Sequence, residues 1–302
     1  MDSATVTADW VALDWGTTNL RVWAMAQSGD ILAQAMSDKG MGKLSRDGFE
    51  PALLDLIGGW TDGPITVVAC GMVGSRQGWV EAPYARAPCQ PLSSGFVKAP
   101  TITPGLTVHV IPGIRQDIPA DVMRGEETQI AGFMALNPGW DGVLCLPGTH
   151  TKWVQVSAGE VVSFQTAMTG ELFAMIATQT VLRHTVGTEG WDDAVFLTAV
   201  SDSIARPERL AAWLFSLRAE HLLHGLDGAV ARSRLSGLLI GAELAATKPY
   251  WLGQKLAVIG AGTVSKLYVQ ALASQSVPAT MADGQTVTLA GLTAAYRRLT
   301  GA

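Results

Sequence analysis

Asp14 opens the stretch Asp-Trp-Gly-Thr-Thr-Asn-Leu-Arg, and a second Gly-Thr pair, Gly148-Thr149, recurs between similar apolar flanks. Aligned, the two segments read VALDWGTTNLRV (11–22) and VLCLPGTHTKWV (143–154), each a strand, a tight turn and a strand. Glycine lets a backbone approach a ligand closely, and successive N–H groups with threonine hydroxyls make a cradle for phosphate oxygens. The first cradle would be Gly16, Thr17, Thr18 and Asn19, with Arg21 beyond. The second would be Gly148, Thr149, His150 and Thr151, with Lys152 able to neutralise phosphate charge. Either segment alone is an ordinary hairpin, whereas two related copies, each opening a half of the chain, favour two grips on one polyphosphate. Asp14 has no counterpart in the second copy, where Leu146 stands. A lone carboxylate beside a phosphate cradle is what a bridging Mg²⁺ needs, because that ion takes few carboxylates and several waters. His150 either donates to a phosphate or satisfies its own turn, and both readings stay open.

A third motif, LAVIGAGTVSKLYVQAL (256–272), is a buried strand, a glycine turn and a helix whose N-terminus could face an anion. Its Gly260, Gly262 and Thr263 are candidate nucleotide contacts. Ser265 stands where a dinucleotide fingerprint would carry its third glycine, so the Gly260-Ala261-Gly262 turn is a weak signal for an NAD-dependent oxidoreductase.

These motifs must be carried by a scaffold of strands interleaved with helices. Strands are expected at 10–14, 20–25, 31–36, 65–74 and 107–113, and a helix at 47–60. A further helix from Asp121 is stopped by Asn137-Pro138-Gly139 and serves as the connector between lobes. Beyond it come strands at 143–146, 152–157 and 161–166, a mostly helical region at 170–246, and a strand-helix-strand-helix ending. Alternation of this kind predicts an α/β fold with mixed sheets. At 302 residues, 48% hydrophobic and 16% charged, the chain exceeds what one core usually organises, so two lobes are expected. A net charge of -5 argues against nucleic acid or an anionic membrane as partner. Three cysteines without C-x-x-C spacing predict neither a disulfide framework nor a zinc site, and His221 and His224 lack a third ligand nearby. With no basic-then-apolar leader and no span of about 20 apolar residues, a cytoplasmic protein is expected.

The order of an Asp-x-Gly-Thr-Thr hairpin, a second Gly-Thr hairpin and a Gly-x-Gly strand-helix turn resembles the actin-like ATPase superfamily. Together DWGTTNLR (14–21), GMVGSRQGW (71–79), DVMRGEETQ (121–129) and LPGTHTKW (146–153) resemble the 2-dehydro-3-deoxygalactonokinases. That resemblance implies two actin-like (ribonuclease H-like) domains flanking a cleft, at 1–125 and 126–302, with the last helix packing back on the first domain. It implies ATP and Mg²⁺ as cofactors and phosphorylation of 2-dehydro-3-deoxy-D-galactonate at O6 in galactonate catabolism. Gly125-Glu126 falls where glycerol-type kinases carry a Gly-Asp pair, which makes Glu126 the candidate general base, with Glu127 and Asp121 as rivals. Arg76 matches an arginine that contacts substrate in those enzymes, and a guanidinium fork suits a sugar acid's carboxylate. Arg124 is the alternative clamp, and Ser75, Gln77 and Trp79 complete the candidate substrate site, although with ten tryptophans in the chain packing is the default role for Trp79. Nothing fixes the oligomeric state, and a homodimer is compatible. Two other readings stand beside the kinase: the oxidoreductase on the 256–272 motif, and a non-catalytic actin-like module that binds ATP to switch or assemble.

Overall fold

The computed structural model describes residues 6–92, 95–260 and 262–301. In chain order it runs β1 (Trp10–Trp15), β2 (Leu20–Met25), β3 (Ile31–Ser37), α1 (Phe49–Ile57), β4 (Ile65–Gly71), β5 (Tyr84–Arg86), β6 (Val97–Lys98), β7 (Leu106–Val110), β8 (Gly113–Asp117), β9 (Ala120–Met123) and α2 (Glu126–Leu136). It continues through β10 (Gly142–Leu146), β11 (Thr151–Ser157), β12 (Glu160–Ala167), α3 (Thr169–Gln179), α4 (Asp193–Ala205), α5 (Leu210–His224), α6 (Gly228–Ala246), α7 (Lys248–Trp251), β13 (Leu256–Ile259), α8 (Gly262–Ser274), β14 (Ala279–Ala282) and α9 (Gly284–Thr300). Backbone contacts group residues 1–140, 157–163 and 284–302 into one unit, and 141–156 with 164–283 into another.

In the first unit a six-stranded sheet has the order β3-β2-β1-β4-β7-β6. β1 and β2 form the expected hairpin, and β4 adds in parallel on the other side of β1, which makes β1 central. Its residues are buried except Asp14, so the apolar run is explained by two covered faces. One face packs on α1 through Phe49, Leu53 and Ile57; the other carries Trp10, stacked on Tyr296 of α9 with ring centroids 4.3 Å apart. A small sheet of β5, β8 and β9 stands beside it.

The second unit repeats the plan. β10 and β11 are an antiparallel hairpin, and β13 then β14 add in parallel, giving the order β12-β11-β10-β13-β14. The gapless sequence echo is off by one in register. Asp14 faces Arg21 in the first hairpin, whereas Leu146 faces Lys152 in the second, so Lys152 rather than Trp153 occupies the position of Arg21.

Two expectations need correction. The helix expected from Asp121 begins at Glu126, because residues 120–123 pair with β8 as a strand and Gly125 turns the chain at φ 106°. The division of contacts falls after Trp140 rather than at 125, because α2 packs lengthwise on α9 within the first unit. That packing is very close. A Cβ on Gly132 would lie 1.8 Å from the Val287 carbonyl oxygen, and one on Gly291 would lie 1.9 Å from that of Thr128. Two helices can approach this far only where side chains are missing. Gly132→Ala is therefore expected to destabilise the protein by about 1–3 kcal/mol through overpacking, read from urea unfolding midpoints; an unchanged midpoint would contradict the close contact.

Candidate active site

β1 ends at Asp14 and Trp15, and the exposed turn 16–19 closes through the Gly16 N–H donating to the Asn19 carbonyl at 2.9 Å. A loop behind the turn takes its carbonyls: the Met41 N–H donates to the Gly16 oxygen at 3.0 Å and the Gly42 N–H to the Thr17 oxygen at 2.9 Å. Gly40 makes this possible, since a Cβ there would sit 2.2 Å from the Thr18 carbonyl carbon. With the carbonyls tied back, the Thr17 and Thr18 N–H groups have no acceptor among the described residues, which is the state an anion cradle requires. Asp14 is paired with Arg21, Nη2 to Oδ2 at 2.5 Å. Both line a cavity of about 340 Å³ with Gly16, Thr18 and Asn19. The other Asp14 oxygen takes no hydrogen bond among the described residues, so one carboxylate with room for water fits Mg²⁺. No group of three or more His, Cys, Asp or Glu that could hold a metal is found among the described residues, which excludes only an all-protein cage.

Backbone stacking joins this edge to the candidate base. Trp15 pairs with Gly71 at the end of β4, and a Cβ on Gly71 would fall 2.7 Å from the Trp15 oxygen; Gly125 lies over Gly71 in turn, its own added Cβ 3.3 Å from the Gly71 Cα. Both glycines have positive φ, 91° and 106°. Directly after Gly125 come two carboxylates with different surroundings. Glu126 is half-buried and accepts from the Arg124 N–H at 3.0 Å, so it can reach a ligand. Glu127 is fully buried, accepts from the Gly125 N–H at 2.6 Å and from the Thr128 hydroxyl at 3.1 Å, and has no open side. Burial first, and then the charge of Glu126, push its carboxyl up to about 8. Asp121 sits on β9 and accepts from the Val122 N–H at 2.7 Å. Of the three rivals, Glu126 is the half-buried carboxylate at the start of α2, whereas Glu127 is sealed and Asp121 lies on β9.

Around Glu126 the expected substrate residues separate. Arg124 lies with its guanidinium carbon 4.3 Å over the Tyr84 ring and donates from Nη2 to the Ala82 carbonyl at 2.8 Å. Its Nε and Nη1 are buried without a hydrogen-bond partner among the described residues, and so is the hydroxyl of Ser75. Arg76 and Gln77 are exposed on the same loop, where the Arg76 carbonyl accepts from Arg46 at 2.9 Å. Trp79 is a correction: it is 3% exposed, stacked near Phe49, edge-on to Trp15, and donates to the Pro100 carbonyl at 3.0 Å, so packing accounts for it.

In the second unit the 148–150 turn is exposed and held from behind by the start of α3. The Glu171 N–H donates to the Thr149 oxygen at 3.0 Å, and the Glu171 carboxylate meets His150 Nε2 at 2.5 Å. A Cβ on Gly170 would lie 2.3 Å from the Gly148 oxygen. Thr151 and Lys152 differ from expectation. Strand alternation turns the Thr151 hydroxyl inward to Tyr268 at 2.9 Å, and Lys152, 6% exposed, donates to Thr166 at 2.8 Å. The exposed residues at the tip of this hairpin are Gly148, Thr149 and His150. Gly260, at φ 156°, sits so close to Ser265 that an added Cβ would be 2.3 Å from its hydroxyl; Ala261 lies outside the described residues. Thr263, at the start of α8, lines a cavity of about 400 Å³ with Gly148, Phe173, Trp191, Arg232 and Tyr268. The sequence reading missed Phe173 and Arg232, which lie in the helices α3 and α6, and Trp191, which lies in the loop before α4.

Two mixed sheets, each an antiparallel hairpin with parallel strands added and a Gly-Thr turn at the hairpin tip, define an α/β protein of the actin-like nucleotide-binding class. At the level of fold alone it is matched by the activator of 2-hydroxyisocaproyl-CoA dehydratase from Clostridium difficile, solved with bound ADPNP, at TM-score 0.53 and 12% identity, covering 97% of this chain and 96% of that one. The 2-keto-3-deoxy-galactonokinase family model matches residues 14–295, and the chain belongs to that family. A probable 2-dehydro-3-deoxygalactonokinase of Rhizobium meliloti (strain 1021) is 37% identical over 300 residues, covering 96% of this chain and 97% of the relative. The 2-dehydro-3-deoxygalactonokinase of Escherichia coli (strain K12) is 34% identical over 290 residues, 95% of this chain and 97% of the relative. A crystal structure from Sinorhizobium meliloti, of a protein provisionally given the same activity, superposes at TM-score 0.89 with 36% identity, covering 96% and 99% of the two chains. Family membership removes the oxidoreductase reading of residues 256–272 and the non-catalytic module.

The buried Glu127 makes stability depend on pH. Its ordinary value is 4.5 and its folded value about 8, so between these the folded state holds the extra proton. Stability contributed at this site is present at low pH and falls as pH rises through that window. Glu127→Gln is expected to flatten the decline in melting temperature between about pH 5 and pH 8 relative to the wild type. Parallel curves for the two proteins would show that the carboxyl titrates normally.

Proposed function

We propose that the protein is an ATP-dependent kinase that phosphorylates the C6 hydroxyl of 2-dehydro-3-deoxy-D-galactonate, giving the 6-phospho acid and ADP. The observation that carries the acidic substrate is the Arg124 fork. Two of its nitrogens are buried without an acceptor, and its own backbone N–H holds Glu126. Leaving such donors unpaired is costly, and an anionic group accepting from either of them would offset that cost with a charge-assisted bond. A neutral sugar supplies no equivalent charge. Ser75, with a buried hydroxyl likewise unpaired, would donate to the same ligand, and exposed Arg76 and Gln77 would meet its polar rim.

In the reaction the substrate hydroxyl oxygen forms a bond to the γ-phosphorus while the bond from phosphorus to the β,γ-bridging oxygen breaks and ADP leaves. The hydroxyl proton passes to the Glu126 carboxylate. The free N–H groups of Thr17 and Thr18 and the Gly148-Thr149 turn would take phosphate oxygens, with Arg21 near the first of them. Asp14 would hold Mg²⁺, which when bound supplies charge neutralisation at the phosphates. The mostly apolar cavity beside Thr263 and Tyr268 suits the adenosine. Among the described residues no helix is long and apolar enough to cross a membrane, and a cytoplasmic enzyme is in keeping with use of ATP and a small sugar acid.

Assays of ADP release across a panel of aldonic and 2-keto-3-deoxy acids test the substrate class, with 2-dehydro-3-deoxy-D-galactonate expected to give the highest kcat/KM. Glu126→Gln is expected to lower kcat by about 100-fold or more. Arg124→Lys, which keeps the charge and loses the fork, should raise KM for the acid by about 10-fold while leaving KM for ATP unchanged. Activity on neutral sugars equal to that on acids would remove the clamp.

A further inference from the structure

Beneath the second glycine turn lies a carboxylate that the reaction above does not use. Glu243, on α6, is 5% exposed. Its Oε1 accepts from the Trp153 indole N–H at 2.7 Å, and its Oε2 accepts from the Tyr268 hydroxyl at 2.6 Å and from the Thr169 hydroxyl. The Tyr268 oxygen also meets the Thr151 hydroxyl at 2.9 Å. Because Tyr268 gives its proton to Glu243, Thr151 must give its own to Tyr268, so the direction of every bond is set by the carboxylate. For packing alone, an apolar residue in the surrounding LLIGAELAA helix would serve at lower cost, since burial pushes the Glu243 carboxyl up and only its three donors draw it back.

The donors come from the elements that shape the nucleotide cavity. Thr151 and Trp153 belong to the hairpin strand β11, and Thr169 and Tyr268 line the cavity from α3 and α8. Thr169 is followed by the two residues that brace the turn: Gly170 against the Gly148 oxygen, and Glu171 donating to the Thr149 oxygen. We propose that Glu243 is a positioning residue for ATP, holding the first turn of α3 through Thr169 and the strand β11 through Trp153 and Tyr268, so that the 148–149 turn keeps its phosphate-binding shape. It touches no substrate. The inference rests on the cavity and turn being the nucleotide site.

The test compares wild type with Glu243→Gln, Thr169→Val and Thr169→Ser. It reads the Kd for ATP by calorimetry, KM for ATP and for the sugar acid, and the melting temperature. Thr169→Val is nearly isosteric and deletes only the hydroxyl, so it decides the matter if Glu243→Gln fails to fold. Both variants are expected to weaken ATP binding by about 10-fold, with KM for the sugar acid within about 2-fold of wild type. Thr169→Ser, which restores the donor, should restore ATP affinity. If Thr169→Val lowers the melting temperature yet binds ATP as wild type does, the network is structural only and the proposal is wrong. If wild type itself binds no ATP, the nucleotide reading fails and the positioning role falls with it.

Discussion

The first unit is organised around backbone that has no room for a side chain at Gly71. The end of β4 runs against the end of β1 so closely that a Cβ on Gly71 would strike the Trp15 oxygen, and Gly125 then lies over Gly71. This contact brings the last residues of β1 beside the first residues of α2, elements more than a hundred positions apart in sequence. Asp14 and Glu126 reach the same edge of one sheet because two glycines at positive φ let three segments stack. The carboxylate pair after Gly125 then divides by environment. One is open to a ligand and the other is sealed, with its oxygens spent on the turn and on Thr128. Two adjacent residues of the same type thereby take different roles, as burial alone can arrange.

The second unit reuses the hairpin-plus-parallel-strand plan with different chemistry at its tip. Where the first hairpin sets Asp14 against Arg21, the second sets Leu146 against Lys152, and Lys152 donates to Thr166 on β12. The strand β11 of the repeat instead joins a buried network reaching α3, α6 and α8. Both turns are braced from behind through their carbonyls, by the 40–42 loop in one unit and by the start of α3 in the other. That shared device leaves amide hydrogens for an anion.

The hairpins and the strand and helix of the 256–272 segment were legible in the sequence because each depends on neighbours close along the chain. Trp10–Trp15 and Leu20–Met25 are apolar runs around a Gly-Thr turn, and the structure pairs them residue by residue. Side-chain direction was less legible. Thr151 and Lys152 looked like phosphate ligands by their place after the turn, but strand alternation sends one to Tyr268 and the other to Thr166. Trp79 was ambiguous until its ring was found buried against both Trp15 and Phe49. The strand at 120–123 escaped notice because its partner β8 is set by a small sheet with no periodic signal of its own. Glu243 left a trace that could have been read: a single acid inside an apolar helix demands buried partners.

We propose that Asp14 and Glu126 serve one reaction centre. A double-mutant cycle on kcat with Asp14→Asn, Glu126→Gln and the combined variant tests it directly. Residues acting on one transition state are strongly non-additive, so the combined variant is expected to be slower than the worse single variant by no more than about 3-fold. If the two losses multiply, the residues act independently and the shared centre is contradicted.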